Sequence, residues 1–248
     1  FGATAAALFS LSNASAEEAA NEAGSEFFEE VVVTAERVEA NILDTPMTIT
    51  AFDSDMLQQL GLQDRDKLQN LVPGLQFGDT MDQQGNGVVL RGIGTRQAGM
   101  NHMDRAVAQY INGAYTIGTY GTMPGGGFDL EGIEIARGPQ GTLNGRNSLA
   151  GSINYLYKKP TREWDAVVEL EVTDDVQERV NVAFGGAVPF NENLAFRITA
   201  GSHTGDGVQE NLGDGPDYGA PEHLFAAGQL RLQTDRLDAN VRYSKVED

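Results

Sequence analysis

The chain has 248 residues, 40% of them hydrophobic, which allows one or two folded domains and excludes a wholly disordered polymer. Asp and Glu outnumber Lys and Arg by 36 to 17, and the net charge of −19 argues against a nucleic-acid partner. With no cysteine, disulfide frameworks, thiolate zinc sites and cysteine nucleophiles are excluded too.

The amino terminus, FGATAAALFSL, is small and apolar, and Ala14-Ser15-Ala16 follows with a small-x-small pattern. Residues 1–16 read as the h-region and cleavage site of a secretory signal peptide without its basic n-region, and are set aside from the fold. Residues 17–41 are acidic and Ala-rich, the composition of a flexible tether. Within it, Glu30-Val31-Val32-Val33-Thr34-Ala35 is a short β-prone run. Such a run is suited to adding as a strand to another protein's sheet edge, where backbone bonds supply affinity.

Residues 42–160 alternate short elements with turn signals, an α+β pattern. A strand is predicted over 46–52. Asp53 or Ser54 caps a short helix that runs to Leu60 and stops at Gly61. A second helix starts at Asp64 or Asp66 and covers 67–72, ended by Pro73-Gly74. Val88-Val89-Leu90 is a strand leading into Arg91-Gly92. Residues 107–111 and 114–117 form a hairpin, because Asn112-Gly113 suits a type I′ turn. Ile133-Glu134-Ile135 alternates and runs into Arg137-Gly138-Pro139, and 152–158 is a last strand.

An ordered set of motifs spans this middle region. It begins with Asp44-Thr45-Pro46, Leu71-Val72-Pro73-Gly74, Leu90-Arg91-Gly92 and the Asn112-Gly113 hairpin. The longest piece is FDLEGIEIARGPQGTL, from Phe128 to Leu143. Gly145-Arg146-Asn147, Gly151-Ser152-Ile153-Asn154 and Lys158-Lys159-Pro160 complete the set. In this order, and behind a signal peptide and EEVVVTA, they resemble the plug domain of TonB-dependent outer-membrane receptors. The chain departs at Asn144, where an aromatic is usual, and at Ala150 and Tyr155, where Gly and an aliphatic are usual.

Beyond Pro160 the period becomes two. Trp164, Ala166, Val168, Leu170 and Val172 alternate with Asp165, Val167, Glu169, Glu171 and Thr173. The same pattern recurs around Val180–Val188, Leu194–Ala200, Leu230–Leu232 and Leu237–Tyr243. Strand lengths approach the ~9–11 residues that cross a bilayer. Residues 189–193 and 235–236 are short connections, and 202–223 a long one. Alternation alone does not distinguish lipid from a protein core on the apolar side, so half of a soluble β-sandwich has the same pattern. The resemblance decides the expectation: an α+β plug domain at 42–160, then antiparallel β-strands of an incomplete transmembrane β-barrel at 161–248. About five strands fit there, whereas plugged transporters have about 22.

No enzyme chemistry is legible. His102, His203 and His223 lack HExxH spacing and are read as surface or core residues, Gly92-Ile93-Gly94 is no dinucleotide loop, and no Gly-x-Ser-x-Gly elbow or phosphate loop occurs. No cofactor or resident metal is expected. The resemblance implies an outer-membrane protein of a Gram-negative bacterium with outer-membrane lipid, TonB and a small molecule as partners. It implies TonB-driven uptake of a scarce nutrient such as a ferric siderophore, so that iron enters as part of the substrate. It further implies that residues 30–35 meet TonB and that Arg91 and Arg137 lock plug to barrel by pairing with carboxylates. His102, Tyr110, Tyr115 and Tyr120 are candidate substrate contacts, near apices expected at 79–86, 96–105 and 116–127. The alternative reading is a soluble periplasmic binding or adhesion module.

Overall fold

A computed structural model describes residues 9–10, 32–33, 40–41, 48–62, 65–77, 87–94, 105–116, 127–139, 141, 147–172, 177–206 and 222–247. Three short strands come first: β1 (Phe9–Ser10), β2 (Val32–Val33) and β3 (Ala40–Asn41). The α+β unit follows with β4 (Thr48–Asp53), α1 (Ser54–Gln59), α2 (Arg65–Leu71), β5 (Leu75–Phe77), β6 (Val88–Leu90), β7 (Ile93–Gly94), β8 (Val107–Ile111), β9 (Ala114–Tyr115), β10 (Leu130–Arg137) and β11 (Gly151–Tyr157). Five long strands close the chain: β12 (Asp165–Val172), β13 (Gln177–Val188), β14 (Asn191–Gly205), β15 (Glu222–Gln233) and β16 (Asp238–Glu247).

In the α+β unit, the cap predicted at Asp53 forms: its carboxylate accepts from Met56 N at 2.8 Å. Leu57, Leu62, Leu68 and Val72 pack the two helices onto the sheet. That sheet has the order β4-β10-β11-β8-β9, antiparallel except for β11 against β8. Its central strands β10 and β11 carry Ile133, Ile135, Ile153 and Tyr155, all fully buried. The predicted hairpin turns at Asn112 (φ 49°) and Gly113 (φ 78°), the left-handed pair a type I′ turn requires. The Asn112 side chain also accepts from Tyr157 N at 2.8 Å and Asn154 Oδ1 from Gly113 N at 3.1 Å, tying the hairpin to β11. Two elements were not predicted. β5 and β7 pair on either side of β6 to make a separate three-stranded sheet, and both are too short to show a period.

The five long strands form one antiparallel meander, β12-β13-β14-β15-β16. The backbone of β1 pairs at the edge of β12, and β2 pairs with β3 in a two-stranded sheet. Cross-strand register places like with like. Ala166, Phe184, Ile198, Gly228 and Tyr243 lie in one row, and Val168, Val182, Ala200 and Ala226 in the next, which ends at Lys245. Val168, Leu170, Val172, Val180, Val182, Phe184, Ile198, Leu230 and Val241 are all exposed, Val241 to 70%. Asn181, Arg197, Thr199 and Gln229, on the opposite side, are buried. The sheet is thus inverted, apolar outward and polar inward.

This corrects the soluble-sandwich alternative. A sandwich buries its apolar faces between its sheets, but here it is the polar side that meets the α+β unit. It also corrects the long connection predicted at 202–223. β14 continues to Gly205 and β15 begins at Glu222: Ser202, His203 and Thr204 extend the ladder opposite Leu224, His223 and Glu222, and only His203 of the three lies in the inward phase of Arg197.

Two substitutions test these assignments in the full-length protein. Val182→Arg, mid-strand on the apolar side, is expected to cost about 2–4 kcal/mol in a chemical-denaturation experiment in lipid, and a neutral result would place that side against protein or water. The Tyr155 hydroxyl is buried without a hydrogen-bond partner, so Tyr155→Phe removes an unmet polar group and is expected to leave the unfolding midpoint unchanged or raised.

Candidate functional site: the seam between plug and sheet

The polar side of the meander closes on the α+β unit through one residue above all. Asp129 sits just before β10 in a left-handed conformation (φ 61°), and its carbonyl accepts from Lys158 N at 3.1 Å. This turn presents its carboxylate to β14. Arg197 on β14 meets it with a two-pronged contact, Nε to Oδ2 at 2.7 Å and Nη2 to Oδ1 at 2.6 Å. The remaining guanidinium nitrogen, Nη1, reaches Asp165 on β12 at 2.8 and 2.9 Å. Arg197 and Asp129 are each 3% exposed. Burial pushes the Asp129 carboxyl up, and the Arg197 guanidinium opposes that shift.

Asp165 and Arg197 lie on strands that are not neighbours, with β13 between them. The register puts Gly185 at the crossing: Asp165 pairs with Gly185 and Gly185 with Arg197. A Cβ at position 185 would stand 2.9 Å from Phe196 O, closer than real Cβ atoms come, and 3.4 Å from both Arg197 Nη1 and Asp165 Oδ1. A glycine here leaves the room through which one guanidinium bridges three strands.

Around this clasp the seam is completed by weaker contacts. Phe128 meets Phe225 in a tilted contact at 6.5 Å between ring centres, with Ala183 and Val167 beside them. Gln229 Nε2 donates to Lys158 O at 3.1 Å, and Arg231 Nη1 to Pro160 O at 3.3 Å. The Arg242 guanidinium lies 3.8 Å above the Tyr157 ring. Burial pushes the Tyr157 phenol up to about 12, in spite of that cation, so the ring stays neutral.

The predicted site residues fall in different places. Of Glu30, Val31, Val32, Val33, Thr34 and Ala35, the backbone of Val32 and Val33 is described, paired with Asn41 and Ala40; the other four lie outside the described residues. Arg91 is exposed, with φ 54°, and its backbone N donates to Gly74 O at 2.8 Å. Its Nη1 stands 3.6 Å from the point where a Gly138 Cβ would be, so Arg91 and the end of β10 come together. Arg137, at that end, is half-buried, and its Nε is buried with no hydrogen-bond partner. Among the described residues neither arginine has an ion-pair partner. Tyr110 is buried in β8 and meets half-buried Tyr115 edge-on at 5.8 Å. Asn147 Nδ2 donates to the Tyr115 hydroxyl at 2.7 Å. His102 and Tyr120 lie outside the described residues.

Sequence reasoning missed the Arg197–Asp129 clasp. Its signals were there: Arg197 is a charge in the polar phase of an alternating strand, and Asp129 lies in the longest motif. Their pairing depends on cross-strand register, which no local pattern encodes.

Removing one partner of this pair leaves a buried charge unmatched, which typically costs ~3–5 kcal/mol. Arg197→Leu in the full-length protein is expected to lower stability by that order, and Arg197→Leu with Asp129→Leu to recover a large part of it. Gly185→Leu should mimic the single loss while leaving both charges in place. Equal stability of wild type and Arg197→Leu by denaturant titration would rule out the clasp.

Residues 41–152 match the family model described as TonB-dependent Receptor Plug Domain. The pesticin receptor of Yersinia pestis is 26% identical over 188 residues, covering 75% of this chain and 27% of that protein. The ferripyoverdine receptor of Pseudomonas aeruginosa is 26% identical over 170 residues, covering 68% of this chain and 20% of that protein. The chain therefore spans between a fifth and about a quarter of the length of these curated relatives. Among solved structures, the ferric yersiniabactin uptake receptor of Y. pestis superposes with a TM-score of 0.66 at 23% identity, over 81% of this chain and 31% of that one. The ferripyoverdine-bound receptor of the P. aeruginosa outer membrane gives 0.67 at 20% identity, over 86% and 27%. These matches agree with one another: residues 41–152 match a TonB-dependent receptor plug domain, and the chain as a whole resembles the amino-terminal part of TonB-dependent outer-membrane receptors in sequence and in fold.

Proposed function

We propose that this chain supplies the plug and the first wall strands of a receptor that carries a scarce nutrient, typified by a ferric siderophore, across the outer membrane with energy delivered by TonB. The observation that carries the reading is the buried Arg197–Asp129 pair, which holds a separately folded α+β unit against the polar side of a sheet whose other side is apolar and exposed. A stopper inside a lipid-facing wall is the construction an active gate requires, since a permanently open pore this wide would leak. The relatives' names support the cargo class, as they take up or bind ferric chelates.

In this mechanism the substrate binds from outside at the apices 79–86, 96–105 and 116–127, where His102, Tyr115 and Tyr120 are contacts and Tyr110 backs Tyr115 from the core. Binding shifts the ensemble toward states in which Glu30 to Ala35 are available on the periplasmic side. TonB captures that run by strand addition. The antiparallel pairing of Val32–Val33 with Ala40–Asn41 supports a run competent to act as a strand. Pulling then remodels the plug, spanning 42–160, and opens a path. Arg91 and Arg137, with the unmet Arg137 Nε, are suited to receive carboxylates from further barrel strands.

Deleting residues 31–35 from the full-length receptor is expected to abolish accumulation of radiolabelled ferric chelate by cells while surface binding persists. Val32→Pro, which removes one backbone donor and no charge, should reduce accumulation in the same sense. Unimpaired uptake by the deletion variant would refute the coupling role.

A further inference from the structure

Six residues beyond Arg197 on β14, roughly 20 Å along the strand, the polar side of the sheet carries a second constellation. His203 on β14 and His223 on β15 are directly opposite in the register, with ring centres 6.1 Å apart and planes at 42°. Both follow the phase of Arg197, Thr199, Phe225 and Gln229, so both face the interior of the barrel. They flank the connection at 206–221, at the end of the strands remote from the 189–190 turn, and His223 is exposed while His203 is half-buried.

We propose that His203 and His223 form a two-imidazole site for a borderline divalent transition-metal ion, of the Cu²⁺, Ni²⁺ or Zn²⁺ class, at this mouth of the barrel. A metal about 2.0–2.1 Å from one nitrogen of each ring holds the ring centres about 5–6.5 Å apart, so the spacing requires little side-chain movement. His203 has the supporting contact expected of a metal-binding imidazole: its Nε2 lies 3.3 Å from Gln177 Oε1. With Nε2–H donating to that amide oxygen, the tautomer places the ligating lone pair on Nδ1. The same register row continues through Arg179 to Glu171. Those two are paired with each other at 3.0 Å, which offsets the cationic charge next to the site.

Among the described residues no group of three or more His, Cys, Asp or Glu converges on a common point. Among the described residues the two imidazoles are thus the ligands, and water or the donor atoms of a chelator can complete the coordination. It selects ions that prefer imidazole over carboxylate, and Mg²⁺ or Ca²⁺ should not compete. The proposal does not depend on the uptake reading: it needs only the strand register and the side of the sheet.

Detergent-solubilised full-length receptor titrated with Cu²⁺ should show, by electron paramagnetic resonance, a stoichiometric signal with coupling to two imidazole nitrogens. His203→Gln and His223→Gln should each remove one nitrogen from that signal and weaken binding, whereas His102→Gln should leave it intact. Gln177→Ala should lower affinity by about 10–100-fold without changing the nitrogen count, as expected for a residue that orients a ligand. Repeating the titration with a Cu²⁺–iminodiacetate complex distinguishes sources: retention of the chelate identifies a site for metal complexes, and binding of the aqueous ion alone identifies a site for the free metal. An unchanged two-nitrogen signal in the His203→Gln, His223→Gln double variant, or its loss in His102→Gln, would overturn the assignment.

Discussion

A guanidinium held at 3% exposure on the wall of a sheet has no water to solvate it, so the protein must meet its donors. Arg197 solves this by drawing on two carboxylates from different parts of the chain, Asp129 from the plug and Asp165 from β12. The consequence is a geometric one. The plug's docking position is set by the same side chain that fixes the stagger of β12 against β14, so register within the wall and placement of the stopper are one requirement. Gly185 belongs to that requirement, because a Cβ there would press on the Phe196 carbonyl at 2.9 Å and stand in contact with both Arg197 Nη1 and Asp165 Oδ1.

The second constraint is the inversion of the sheet. In a water-soluble sheet the apolar phase of each strand turns inward and its polar phase is free to be anything soluble. Here lipid takes the apolar phase, which frees the inward phase for charge and hydrogen bonding. That is why Asn181, Arg197, His203, His223 and Gln229 can occupy inward positions of β13, β14 and β15, and why the plug is fastened by an ion pair and carbonyl contacts more than by a shared apolar core. The small Phe128–Phe225 cluster is the exception, and it sits where the two units are closest in sequence to the clasp.

Much of this was legible in the sequence because it rests on period and local chemistry. Alternation from Trp164 to Tyr243 located the long strands, Asn112-Gly113 located the hairpin, and Asp53 located the cap, each because one residue type satisfies one local geometry. The sandwich alternative survived the sequence because alternation is symmetric between faces, and only side-chain exposure distinguishes them. β5 and β7 escaped because two or three residues carry no period. The extension of β14 and β15 through His203 and His223 escaped because inward positions of a lipid-facing sheet have no hydrophobic signature. Tyr155, noted as an unusual residue, turned out to be fully buried with its hydroxyl unmet, a compromise that only packing reveals.

The two ends of the wall strands also differ in kind, and the difference follows from where the plug attaches. Near the 189–190 turn, Trp164 packs against Phe184 and Phe196 on the outer side, at 5.4 and 5.7 Å between ring centres. On the inner side of that same end stands the clasp. Trp164 is the amphipathic ring of this cluster, the kind that favours the boundary between hydrocarbon and headgroups, so this end is suited to that boundary. Toward Gly205 and Glu222 the inner side is instead lined by Glu171, Arg179, His203 and His223. A wall whose inner side is tied to the plug at one end and carries its own ion pair and two imidazoles at the other has a built-in direction, and that direction arises from which residues occupy the inward phase of β14, Arg197 first and His203 six residues on.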